Sequence, residues 1–197
     1  MKTQQPMTRC YHDHPALDIP VRGSKKVVQV YGGSCINPIV TDADIYVGLD
    51  TGMEKHENRF PWVTGEAFLF DIPNMGVPKD DHAFDDMIYW LGQQIICEAA
   101  KIHVGCIGGH GRTGMVLAAL VRTVGGIEDA TAYVREHYCE KAVETDTQIG
   151  YLYNQFDIEP VAPRYSTQDL RTMSQKQSRT NTMLHDNVID VQDWLKY

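Results

Sequence analysis

Cys106 and Arg112 are separated by Ile107-Gly108-Gly109-His110-Gly111, and Thr113-Gly114 opens an apolar run behind them. A thiol, a guanidinium and a glycine-rich loop at this spacing can hold a phosphate dianion against a sulfur nucleophile. If the chain leaves a buried strand at Cys106 and enters a helix near Arg112, the loop backbone can curl with its N–H groups inward. That makes an anion-binding nest at a helix N-terminus. Gly108, Gly109 and Gly111 ease the curl and let phosphate oxygens approach the main chain. The same N–H dipoles stabilise a thiolate on Cys106. Arg112 can bind two phosphate oxygens through a planar fork that keeps its charge. The run from Ile107 through His110 to Arg112 is therefore the expected phosphate-binding group.

A cysteine and an arginine at this spacing also recur by chance, so the flanking elements decide the reading. Lys101-Ile-His-Val-Gly-Cys106 reads as a short buried strand, and Met115-Val-Leu-Ala-Ala-Leu-Val121 as a helix apolar on every side. The competing reading is a tight strand-to-helix turn with Cys106 a small buried residue. It leaves the glycine density and the arginine at the helix mouth unexplained. Further strands are expected at Lys26–Tyr31, Asp44–Leu49 and Ala67–Phe70. Phe84, Met87, Ile88, Leu91 and Ile95 recur at helical spacing, and helices are expected near 127–139 and 146–156. Strands alternating with helices imply an α/β fold, a central mostly parallel sheet flanked by helices, with the loop at a strand's C-terminal end. The expected domain spans 26–156, between an N-terminal extension over 1–25 and a C-terminal extension over 157–197. The latter is a partly polar linker through 166–182 with a short helix near 188–195.

The run Gly105-Cys-Ile-Gly-Gly-His-Gly-Arg-Thr-Gly114 resembles the signature loop of the protein tyrosine and dual-specificity phosphatase superfamily, written His-Cys, five residues, Arg, then Ser or Thr and Gly. Ile127–Arg135 is similar to the helix that follows the signature. Ala142–Leu152 is similar to the segment that carries a water-positioning glutamine, here Gln148. Asp71-Ile-Pro-Asn74-Met-Gly-Val-Pro78 resembles the mobile loop that supplies a general acid. The matches run from about residue 26 to residue 156. The resemblance implies hydrolysis of phosphate monoesters in two steps through a phosphocysteine on Cys106. Arg112 and the loop amides would hold the equatorial oxygens, Thr113 would ease departure of the sulfur, and Gln148 would orient the attacking water. Thr145-x-x-Gln148 is equally a capping-box pattern at a helix start. No metal or cofactor is needed for this scheme.

Two residues depart from the family pattern. Gly105 stands where the family usually has histidine, and Asn74 where it has the acidic aspartate. An amide cannot donate a proton as a carboxylic acid can. Asp71 is the favoured substitute, with Asp80 and Asp81 as alternatives that also fit as helix caps. His110 either adds polarity to the pocket or faces solvent.

The net charge of −8, without a basic cluster, argues against nucleic acid or an anionic membrane as partner. The loop also lacks the lysines that superfamily members acting on inositol phospholipids often carry. A phosphoprotein or a small phosphate ester is the expected substrate. Which one depends on the loops around 50–62 and 74–80, and oligomeric state is not legible. No apolar run is long enough to span a bilayer and no secretory signal is evident, so one domain in the cytoplasm is expected. The five cysteines lack metal or disulfide spacing, which fits a reducing compartment. Cys97 and Cys139 read as core residues. His12-Asp-His14 offers two imidazoles with no third ligand indicated, so no metal site is expected. Two other readings remain beside an active phosphatase. One is a phosphate-binding module with little turnover, and the other is a redox or sulfur-transfer protein using the same loop logic.

Overall fold

A computed structural model describes residues 14–35, 40–50 and 66–175. It divides into a unit spanning Met1–Arg164 and a second spanning Tyr165–Tyr197. The first holds a five-stranded sheet, β1 (Leu17–Pro20), β2 (Val27–Ser34), β3 (Ile45–Gly48), β4 (Glu66–Leu69) and β5 (Ile102–Cys106), in the order β1-β2-β5-β3-β4. Only β1 runs antiparallel to its neighbour, β2; the other pairings are parallel. The expected α/β fold with a mostly parallel sheet is therefore what the chain forms.

β5 lies between β2 and β3, and all five of its residues are buried. A central parallel strand covered on both faces needs an unbroken apolar or small-residue run, which Ile-His-Val-Gly-Cys provides. Its register places Cys106 beside Ser34 of β2 and Gly105 beside Gly33 and Gly48. β1 corrects the expected boundary, because Leu17 and Ile19 are fully buried and Leu17–Pro20 pairs with Val27–Val30. Residues 17–20 are thus an edge strand of the sheet and not part of an extension.

Helix α1 (Asp81–Cys97) starts at Asp80, whose carboxylate accepts the Ala83 amide at 3.0 Å. Asp80 is therefore a cap. The helix buries Phe84, Met87, Ile88, Leu91 and Ile95. Cys97, expected in the core, is instead exposed at its end.

Helix α2 (Gly111–Leu120) is buried at all ten residues and passes into a five-residue π turn that stops at Gly126, φ +70°. α3 (Ala130–His137) and α4 (Asp146–Phe156) follow. The second unit holds α5 at 167–175, where a linker was expected. Ser166 caps it: its hydroxyl accepts the Asp169 amide at 3.2 Å, and Asp169 accepts the Ser166 amide at 2.9 Å. No helix among the described residues is long and apolar enough to cross a membrane. The expected helix near 188–195 and His12 lie outside the described residues.

Candidate active site

The loop 107–110 joins the end of β5 to the start of α2. Three bonds fix its curl. The Cys106 amide donates to Thr113 Oγ1 at 2.9 Å, the Gly109 amide donates to Cys106 Sγ at 3.2 Å, and Tyr138 Oη donates to the Gly109 carbonyl at 2.7 Å. Gly109 takes φ +72° with Gly33 packed against it, so a Cβ there would lie 2.8 Å from Gly33 backbone atoms. A glycine is required on both counts. Thr113, expected to meet the sulfur, uses its hydroxyl to accept from the main chain of Cys106. The sulfur accepts from the Gly109 amide.

Gly105 has a steric explanation. A Cβ at this position would fall 2.7 Å from Cys35 N and 2.9 Å from Cys35 Cα. The backbone after β2 fills the space that a histidine side chain would need.

Arg112 is 4 % exposed. Nη1 donates to Asp50 Oδ2 at 2.8 Å, to the Ile72 carbonyl at 3.0 Å and to the Leu49 carbonyl at 3.3 Å; Nη2 reaches Asn74 Oδ1 at 3.4 Å. A buried guanidinium needs this many acceptors. Asn74 thus contacts the guanidinium, although its amide carries no transferable proton.

A cleft of about 220 Å³ is lined by Cys106, Ile107, Gly108, His110, Gly111 and Arg112, and on its walls by Asn74, Met75, Glu144 and Gln148. A larger depression of about 480 Å³, between Asp18, Gln29, Tyr31 and Lys101, holds no nucleophile and lies away from this chemistry. Asp71 is not among the residues lining the smaller cleft. It is exposed, with Lys79 Nζ 3.8 Å from its carboxylate.

The carboxylate in the cleft belongs to Glu144, which the sequence did not single out. It sits over the N-terminus of α2, where a Cβ on Gly111 would lie 2.6 Å from Glu144 Oε2. Burial pushes its carboxyl above the ordinary range, against the Gly111 amide and the charges of Arg164, Arg112 and Lys141, which pull it down. Gln148 is fully buried. Its Oε1 accepts the Glu144 and Thr145 amides at 2.9 and 3.2 Å while Nε2 donates to the Gly76 carbonyl at 3.1 Å. The capping box expected at Thr145–Gln148 is formed.

His110 forms the other rim. Its imidazole is pushed down to about 4, first by burial and then by His14, Lys141 and Arg164, so it is neutral near pH 7. The His14 ring lies 5.3 Å from that of His110, nearly perpendicular, and stacks on Tyr138 at 4.6 Å.

No protein-family profile matches the chain. Two uncharacterized proteins of Methanocaldococcus jannaschii, MJECL20 and MJ0215, are each 42 % identical over 92 residues, 44 % of this chain and 62 % and 57 % of theirs. The chain thus spans about three-fifths of the length of these relatives. Among solved structures, Tk-PTP in the active form is 25 % identical over 59 % of this chain and 80 % of its own, with a TM-score of 0.49. Kinase associated phosphatase, with its catalytic-site cysteine replaced by serine, aligns over 71 % of this chain and 91 % of its own at 15 % identity and a TM-score of 0.53. The chain has a dual-specificity-phosphatase-like fold.

Proposed function

We propose that the chain is a cysteine-dependent phosphatase that hydrolyses phosphate monoesters of protein tyrosine or dual-specificity type. The observation that carries this reading is that Cys106, the loop residues Ile107, Gly108, His110 and Gly111, Arg112 and Gln148 line one cleft. Cys106 thiolate attacks phosphorus in line and takes the phosphoryl group, while loop amides and Arg112 stabilise the equatorial oxygens. Glu144, in place of Asp71, protonates the leaving oxygen; its half-buried, raised-pKa carboxyl supports that role. Gln148 orients the water that cleaves the phosphocysteine, and Thr113 acts by fixing the Cys106 backbone. The substrate is a phosphoprotein or a small phosphate ester, and thiolate chemistry suits the reducing cytoplasm.

Phosphate release from p-nitrophenyl phosphate, abolished by Cys106→Ser, tests the assignment. Asn74 at the acid position favours a second reading, a phosphate-binding module with little turnover. Tight binding of vanadate without hydrolysis would select it. Glu144→Gln tests the acid. For poor leaving groups kcat/KM should fall about 10²–10⁴-fold, and for 2,4-dinitrophenyl phosphate much less. Equal slowing of both would remove Glu144 from the role.

A further inference from the structure

We infer that His14, His110 and Cys139 form a binding site for a zinc-class divalent cation, joining the segment before β1 to the phosphate loop and to the end of α3. One ligand atom from each of the three side chains lies within 4.8 Å of the others. His14 and Cys139 are 6 % and 9 % exposed, and His110 is intermediate.

Two imidazole nitrogens and a thiolate sulfur are a donor set of borderline softness, suited to Zn²⁺ or Co²⁺ and poorly suited to Mg²⁺ or Ca²⁺. Zinc bonds of about 2.0–2.3 Å need ligand atoms about 3.3–3.7 Å apart in a tetrahedron. The three groups must therefore draw in by about 1 Å, a movement within side-chain torsions. The fourth position is open to water. Tyr138 orients the site, because its ring stacks on His14 while its hydroxyl holds the Gly109 carbonyl next to His110.

Charge in the neighbourhood is mixed. Lys141 and Arg164 act on His110 and oppose a cation, and Glu144 shares their field. The Cys139 thiolate offsets one of the two metal charges. On binding, the Cys139 thiol gives its proton to solvent and the sulfur–metal bond forms, so one proton is released per metal. No electron is transferred. The three ligands come from distant parts of the sequence, so no local spacing betrays them.

Cobalt(II) chloride titrated into the full-length chain, stripped by chelator and kept reduced, tests the site by absorption. The expected result is a thiolate-to-cobalt charge-transfer band with tetrahedral d–d bands, saturating at about one equivalent with release of one proton. The spectrum should persist in Cys106→Ser, lose its charge-transfer band in Cys139→Ala, and need at least about 10-fold more cobalt in His14→Asn. Circular dichroism and p-nitrophenyl phosphate hydrolysis by the two ligand variants report whether they fold. If Cys139→Ala does not, Cys139→Ser and His14→Asn carry the test. A band that survives loss of Cys139, one that disappears in Cys106→Ser, or no saturable spectrum at all would overturn the site.

Discussion

Gly105→Ala adds one methyl where the sheet has no room for it. The new carbon would stand 2.7 Å from Cys35 N and 2.9 Å from Cys35 Cα and Cβ. Those are mainly backbone atoms, fixed by the 2.8 Å bond from the Cys35 amide to the Cys106 carbonyl and by the pairing of Gly33 with Gly105. No flexible side chain can swing aside, so β2 must shift against β5. Overpacking of this kind costs about 1–3 kcal/mol. At about 2–4 °C per kcal/mol for a domain of this size, Tm should fall by about 2–12 °C. Gly105→His carries the same carbon plus a ring, so it should melt lower still and gain nothing in kcat/KM, although histidine is the usual residue of the signature that the loop resembles. Thermal melts followed by circular dichroism, paired with p-nitrophenyl phosphate kinetics, measure both effects. An alanine variant that melts with the parent, or a histidine variant that is faster, refutes the steric account.

Arg112→Lys should raise the inhibition constant for inorganic phosphate and lower kcat/KM by at least about 10²-fold, because a point charge replaces a fork. It also strips hydrogen bonds from Asp50 and two carbonyls, at about 1–3 kcal/mol in urea unfolding. Gln148→Ala should leave two amides short of an acceptor, cost a similar about 1–3 kcal/mol, and produce a burst of leaving group in stopped-flow traces as dephosphorylation slows. Burial pushes His103 down from 6.5 to about 4. Between those values the unfolded chain binds the extra proton, so stability should fall as pH drops from about 6.5 to about 4, by about 3 kcal/mol in full. Urea midpoints at pH 7 and 4.5 check this; His110, lowered over the same range, adds a similar share, so His103→Asn should remove about half of the histidine slope.

That Cys106 and Arg112 share one cleft was legible because the spacing is local: thiol, glycines and guanidinium lie within one turn of chain. α1 and α4 were legible through the spacing of Phe84 to Ile95 and the Thr145–Gln148 pair. Glu144 was not, since it reaches the loop only when the chain between α3 and α4 folds over α2. The one trace in the sequence is that Gly111 must lack a side chain beneath it. β1 escaped notice because Leu17 and Ile19 are two apolar residues between prolines, too short for a periodic signal. Cys97 misled for the opposite reason: residue type alone suggested burial, whereas its position puts it on the exposed face of α1 with Gln93, to which its thiol donates. The polar run beginning at Ser166 concealed a capped helix, because capping depends on the reach of Ser166 and Asp169 and not on apolar content.

The segment from Ile72 to Gly76 is tied along its length. Arg112 holds the Ile72 carbonyl and Asn74, Thr145 Oγ1 donates to the Met75 carbonyl at 3.3 Å, and Gln148 holds Gly76. A wall fastened at four successive points is already in place before any ester arrives. On the phosphatase reading proposed above, closure of this segment is not a stage of turnover, and adding sucrose or glycerol to thicken the medium should leave kcat unchanged. On the same reading, this side of the cleft sorts esters by its fixed position, as in a gauge, and not by how well each ester drives it closed.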